Sequence, residues 1–193
     1  GLDKDPVTAA EIRAILRDAM LADARKGAPS PADIPEADVR AYFDTHKADY
    51  HDPERRRLSC LVLKDDAQAK AIVAQAVAAT SPAAWGELVK TKSIDAQARA
   101  NVPVDLAGDF GIVSPPGDTR GENVRVPEEV RAAAFAIAKV GDVKPEPVKV
   151  GSKLYVVRLT QKLEPHDRTF AEAERVIRVK LAQDKIRERE EAV

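Results

Sequence analysis

Apolar and polar positions change period several times along the chain. Ile12, Ile15, Leu16 and Ala19 recur at the spacing of one helix face. Thr8-Ala-Ala-Glu11 has the form of a capping box, and Gly27 with Pro29 and Pro31 closes the segment, which predicts a helix to about Lys26. A second helix is expected from about Pro35, with Val39, Tyr42 and Phe43 on one side and an end before His51-Asp-Pro53. From Leu58 the side chains alternate without a polar face: Leu58, Cys60 and Val62 point one way, Ser59, Leu61 and Leu63 the other. Such a run predicts a central strand covered on both sides.

Asp66 is expected to cap the next helix, and Ser81-Pro82 to open the one after it. Residues 96–125, rich in Gly and Pro, read as a long connection of the kind that marks a functional loop or an insertion. Helical spacing returns in Val126, Val130, Ala134 and Ile137, with Pro127 suited to the first turn and Gly141 as the stop. Pro145 and Pro147 then lead into extended segments. Thr169-Phe-Ala-Glu172 is another capping box, and Phe170, Ala173, Ile177 and Leu181 stripe a long charged helix whose apolar side must bury, most simply against the N-terminal helices. Strand, two helices, loop, helix and two strands between helical arms is the order of an α+β fold with a small, mostly antiparallel sheet.

Composition narrows the function classes. The 193 residues suit one compact domain with appendages or two small units. Lys and Arg total 31 against 32 Asp and Glu, so the basic excess that a nucleic-acid partner would need is missing. No apolar run approaches the roughly 20 residues of a membrane span. No leader pattern is present. The opening Gly1-Leu-Asp-Lys-Asp reads as the start of a trimmed or mature fragment, so no membrane anchor is visible and export is left open. One cysteine excludes an internal disulfide framework and a Cys-rich zinc site. His46, His51 and His166 lack metal-ligand spacing and read as surface or helix-end residues. Neither a metal nor a cofactor is expected. Arg55–Arg57 reads as a solvated basic edge, Asp109 as a turn-stabilising side chain and Trp85 as packing.

Several weak elements in order then point to one family. Leu58-Ser-Cys-Leu-Val-Leu63 resembles the first strand of parvulin-type peptidyl-prolyl isomerases, Ser-His-Ile-Leu-Val. Lys92-Ser-Ile-Asp95 resembles their Tyr-Ser-x-Asp, Gly108-Asp-Phe-Gly111 their Gly-Asp-Leu-Gly, and Lys153–Leu159 their last strand, Gly-Tyr-His-Ile-Ile-Lys-Leu. Val126–Ile137 is similar to the helix that precedes that strand. The resemblance implies three parts: an N-terminal helical arm over 1–55, a parvulin-like domain over 56–162, and a C-terminal helix over 163–193 packed with the N-terminal arm. The flanks resemble those of SurA-like and PrsA-like extracytoplasmic folding factors, with the arms forming a chaperone-like module.

What the resemblance implies chemically is rotation about an X-Pro amide, a barrier of about 18–20 kcal/mol. The family site places two histidines on neighbouring strands beneath an apolar cup. Here those positions are Cys60 and Tyr155, and the third polar position is Asp95, which occurs in the family. The cup positions are Arg125, Val126, Val130 and Phe135. With both imidazoles replaced, the resemblance implies impaired catalysis, and whether the chain is an enzyme stays open. One reading is a periplasmic or otherwise extracytoplasmic folding factor that isomerises proline bonds in exported, unfolded or proline-containing polypeptides. The others are a silent polypeptide-binding module and a homodimer built through the arms.

Overall fold

In the computed structural model, residues 5–97, 101–121 and 123–192 are described. The opening Gly1–Lys4 and parts of the 96–125 loop lie outside the described residues. The first unit comprises 1–51 and 167–193, and the second comprises 52–166.

The second unit is built around β2 (Arg55–Leu63) and β5 (Lys153–Leu163), with β3 (Asp109–Val113) and β4 (Val148–Val150) as edges in the order β3-β2-β5-β4. All pairings are antiparallel. The register pairs Cys60 with Val157, Val62 with Tyr155 and Leu63 with Leu154, so the two strands read from sequence do lie side by side. As the unbroken apolar run requires, β2 is covered twice. Leu58, Cys60 and Val62 pack with Tyr155, Val157 and Leu159 under α5 (Glu128–Ala136). Leu61, Leu63, Leu154 and Val156 pack under α3 (Asp66–Ala78) and α4 (Pro82–Lys92).

Four strands stand where three were expected, because β3 lies inside the stretch read as loop. Its glycines and aspartate argue against a strand locally, but pairing with β2 overrides that preference. The outer side of β3 is blunted: the Asn123 amide donates to the carbonyls of Phe110 and Ile112, and Arg125 donates to that of Asp109.

The first unit contains α1 (Pro6–Arg25), α2 (Glu36–Thr45) and α6 (Phe170–Glu191); its core is Ile34, just before α2, Val39 of α2, and Ala173, Ile177 and Ala182 of α6, while α1 buries none of its residues. The Thr169–Glu172 capping box forms as read. Outside this core, His46 stacks on Tyr42 at 3.9 Å, and His51 Nδ1 lies 2.6 Å from Asp167 Oδ1. The short strands β1 (His51–Asp52) and β6 (His166–Asp167) pair with each other.

Four local expectations need correcting. Asp5, not Thr8, caps α1, since its carboxylate already accepts the Thr8 N–H at 2.8 Å. Asp65, not Asp66, caps α3 for the same reason, accepting from Gln68. Pro127 is the N-cap of α5 and Ile137 its C-cap; Gly141, at φ 94°, belongs to a turn farther on. The basic run is no solvated edge. Arg56 is buried and donates to the carbonyls of Ala134 and Ile137, at 2.8 Å each, and Arg57 forks onto Asp109.

Candidate functional site

Val62 and Tyr155, register partners on β2 and β5, stand together on the sheet face that α5 covers. The segment after α4 is pinned across them. The Ile94 N–H donates to the Val62 carbonyl at 2.8 Å, and Ser93 Oγ accepts the Val62 N–H at 3.1 Å. That two-point attachment is what the Ser-x-Asp spacing achieves, and it sets Asp95 at the rim. β3 contributes Phe110, whose ring meets Tyr155 edge-on at 6.1 Å. Arg125, just before α5, lies 4.2 Å over the Phe110 ring and donates to Asp95 at 3.1 Å. Together with Ile94, Gln97 and Lys153 these side chains enclose a hollow of about 270 Å³.

Of the positions singled out from sequence, the structure brings Asp95, Arg125 and Tyr155 to this hollow. Cys60 lies in the core cluster with Tyr155 and is fully buried, so it does not line the hollow. Val126, just before α5, and Val130, on its inner face, are likewise core residues. Phe135 packs elsewhere, with its ring under the Arg56 guanidinium at 4.7 Å. The apolar walls are instead Val62, Ile94, Phe110 and Tyr155. Phe110 was legible only as part of the Gly-Asp-Phe-Gly turn signal, and Lys153 carried no sequence signal.

The electrostatics follow from these positions. Burial pushes the Cys60 thiol far up, against the pull of the Arg125 charge and with the push of Asp95. Burial, Cys60 and Asp95 raise the Tyr155 hydroxyl, which is therefore a neutral donor at ordinary pH. Among the described residues, no hydrogen bond joins it to Cys60 or to Asp95; the Asp95 carboxylate is held by Arg125. Native protein is expected to resist thiol reagents at pH 8 on the timescale in which a free cysteine is consumed, and to react on denaturation. Rapid labelling of the folded chain would contradict this burial.

Asp109 anchors the floor of β3. Burial raises its carboxyl, but the forked Arg57 bonds, the Gly111 N–H at 3.0 Å and the charges of Arg57 and Arg125 outweigh it and hold it below the ordinary range. A depressed folded value means stability present above the unfolded carboxylate range and lost as the pH falls through the folded one. Asp109→Asn is expected to destabilise by about 1 kcal/mol at pH 7, the scale of a half-exposed, solvent-screened pair. The gap from wild type should close below about pH 4, as urea midpoints across pH will show.

Comparison with known proteins decides the affiliation. The model of the PPIC-type PPIase domain matches residues 34–175. The chain belongs to the PPIC-type isomerase family. Its fold is shared with a structure from Campylobacter jejuni, from work on the virulence factor PEB4 and the periplasmic protein Cj1289, two SurA-like chaperones: TM-score 0.60, 23% identity, 97% of this chain and 70% of that one. The foldase PrsA of Streptococcus pneumoniae is also similar, with TM-score 0.43, 21% identity, and coverage of 93% of this chain and 56% of that one. The parvulin domain of PpiD from E. coli matches at TM-score 0.42 and 22% identity, over 58% of this chain and 92% of that domain. No curated protein matches. Among the described residues, no helix of this isomerase-family chain is long and apolar enough to cross a membrane, and no group of side chains there is suited to a metal ion.

Proposed function

We propose that this family member is a folding factor that holds unfolded or proline-containing polypeptide in the Val62–Tyr155 hollow and catalyses proline isomerisation weakly or not at all. One observation carries the reading: a small hollow persists with apolar walls at Val62, Ile94, Phe110 and Tyr155 and a polar rim, while the groups around it are a Tyr hydroxyl and an Arg125–Asp95 pair rather than imidazoles. Isomerisation breaks no covalent bond, so binding the twisted amide better than either planar form is all that acceleration needs. Ile94, Phe110 and Tyr155 can shelter a proline ring and strip water from the neighbouring carbonyl. The Tyr155 hydroxyl can donate to the rotating amide, but Cys60, sealed beneath, can exchange no proton with it. By the same reading the protein works outside the cytoplasm, in the periplasm or another extracytoplasmic space.

A proline-isomerisation assay on an unfolded client tests this. Any acceleration by the wild type should be small and should fall about two- to tenfold in Tyr155→Phe, the worth of one hydrogen bond. Cys60→Ala should leave it unchanged. Arg125→Ala should weaken binding of a proline peptide. Strong acceleration that survives all three substitutions would place the chemistry elsewhere.

A second reading has its own support. Ile12, Ile15 and Leu16 of the apolar stripe on α1, with Met20 beside them, are about half to two-thirds exposed. We propose that this stripe pairs with a second copy of the chain, since an apolar helix face left in water favours association. Sedimentation that finds only monomer at high concentration would end that reading.

A further inference from the structure

The larger cavity of the second unit lies on the opposite side of the sheet from the hollow. It holds about 430 Å³, within the roughly 300–1,000 Å³ of ligand-sized clefts. Its apolar walls include Pro82 and Trp85 of α4, Leu106 and Val140. Leu106 and Val140 are large apolar residues 47% and 54% exposed. Both therefore offer apolar surface to anything that enters the cleft.

The larger polar groups around it are committed. Arg57 forks onto Asp109 at 3.1 and 2.6 Å. Ser59 Oγ accepts the Trp85 indole N–H at 2.7 Å and donates to the Ala107 carbonyl. Arg158 is buried and gives its N–H groups to the carbonyls of Gly141, Ala79, Ser81 and Thr80. With Asp105, the lining carries two cations and two carboxylates, so no net charge selects an ion. Asp105, Thr80 and Gln161 also line it, but the greater part of the lining surface is apolar.

We infer that this cleft is a second polypeptide site, taking a bulky apolar side chain of an unfolded client independently of proline. The inference rests on the reading of the chain as a polypeptide-folding factor and names what a second surface would take. The two sites, on opposite sides of one small sheet, would hold separate stretches of the same client.

Trp85, the chain's one tryptophan, lines this cleft and not the hollow, so in the folded protein its emission distinguishes the two sites. The probe is a proline-free, uncharged, end-blocked peptide carrying one phenylalanine, followed by Trp85 fluorescence. A saturable change is expected, weakened at least tenfold by Val140→Asp and by Leu106→Asp, both at exposed positions where the fold tolerates a charge. Tyr155→Phe and Arg125→Ala should leave it unchanged. The same peptide with Ser for Phe should give no change. The inference fails if Trp85 does not respond, or if the response follows Arg125→Ala instead of Val140→Asp. Because the probe has no proline, loss of isomerase activity leaves this result standing, and the reverse also holds.

Discussion

Gly86→Ala is expected to unfold most of the sheet-bearing unit's stability margin, a loss on the order of 3 kcal/mol or more. On an exposed helix position the same change would stabilise by up to about 1 kcal/mol, because glycine is a poor helix former. Here the sign reverses. A methyl on Gly86 would sit 1.6 Å from the Val104 carbonyl oxygen and 2.6 Å from its carbon. Those are backbone atoms of the short 3₁₀ turn Val104–Leu106, so no rotamer can yield, and α4 and that turn would have to part. Urea denaturation followed by Trp85 fluorescence measures the loss, with Ala83→Gly as the control that should cost about 1 kcal/mol. A Gly86→Ala protein as stable as the wild type would show that the helix and the turn do not touch.

Arg158→Met should cost about 3 kcal/mol. The guanidinium satisfies four carbonyls from two separate turns, at 2.7 to 3.3 Å, and its burial lowers its own proton affinity. Bonds from a charged donor are worth about 1.5–3 kcal/mol each in isolation, but the turns are near solvent and part of that would be recovered by water. Arg158→Lys should rescue little, since an ammonium cannot fork to carbonyls on both sides. Equal denaturation midpoints for wild type and Arg158→Met would remove Arg158 from any structural role.

The fold was legible because its signals were redundant. The double-sided run from Leu58 to Leu63, the Ser81-Pro82 start and the Thr169–Glu172 capping box are each local, and each was enforced by burial or by a backbone hydrogen bond. Local rules failed where a neighbour competed. Asp5 and Asp65 took the caps from Thr8 and Asp66 because each offered a carboxylate one position or one turn earlier. β3 was hidden because a glycine-rich segment becomes a strand only once β2 is beside it. The site was legible by halves. Register could bring Val62 and Tyr155 together, and the Ser93 tether could carry Asp95 to them. Phe110 as a wall, and Arg56 rather than a ligand over Phe135, depend on tertiary neighbours that no spacing encodes.

The first unit is assembled from both ends of the chain, with the second unit contiguous between them. On a ribosome, residues 52–166 can complete their sheet while Ile34 and Val39 still await Ile177. The helical unit therefore closes last, after α6 has emerged, and until then the nascent protein presents an unfinished apolar surface of its own.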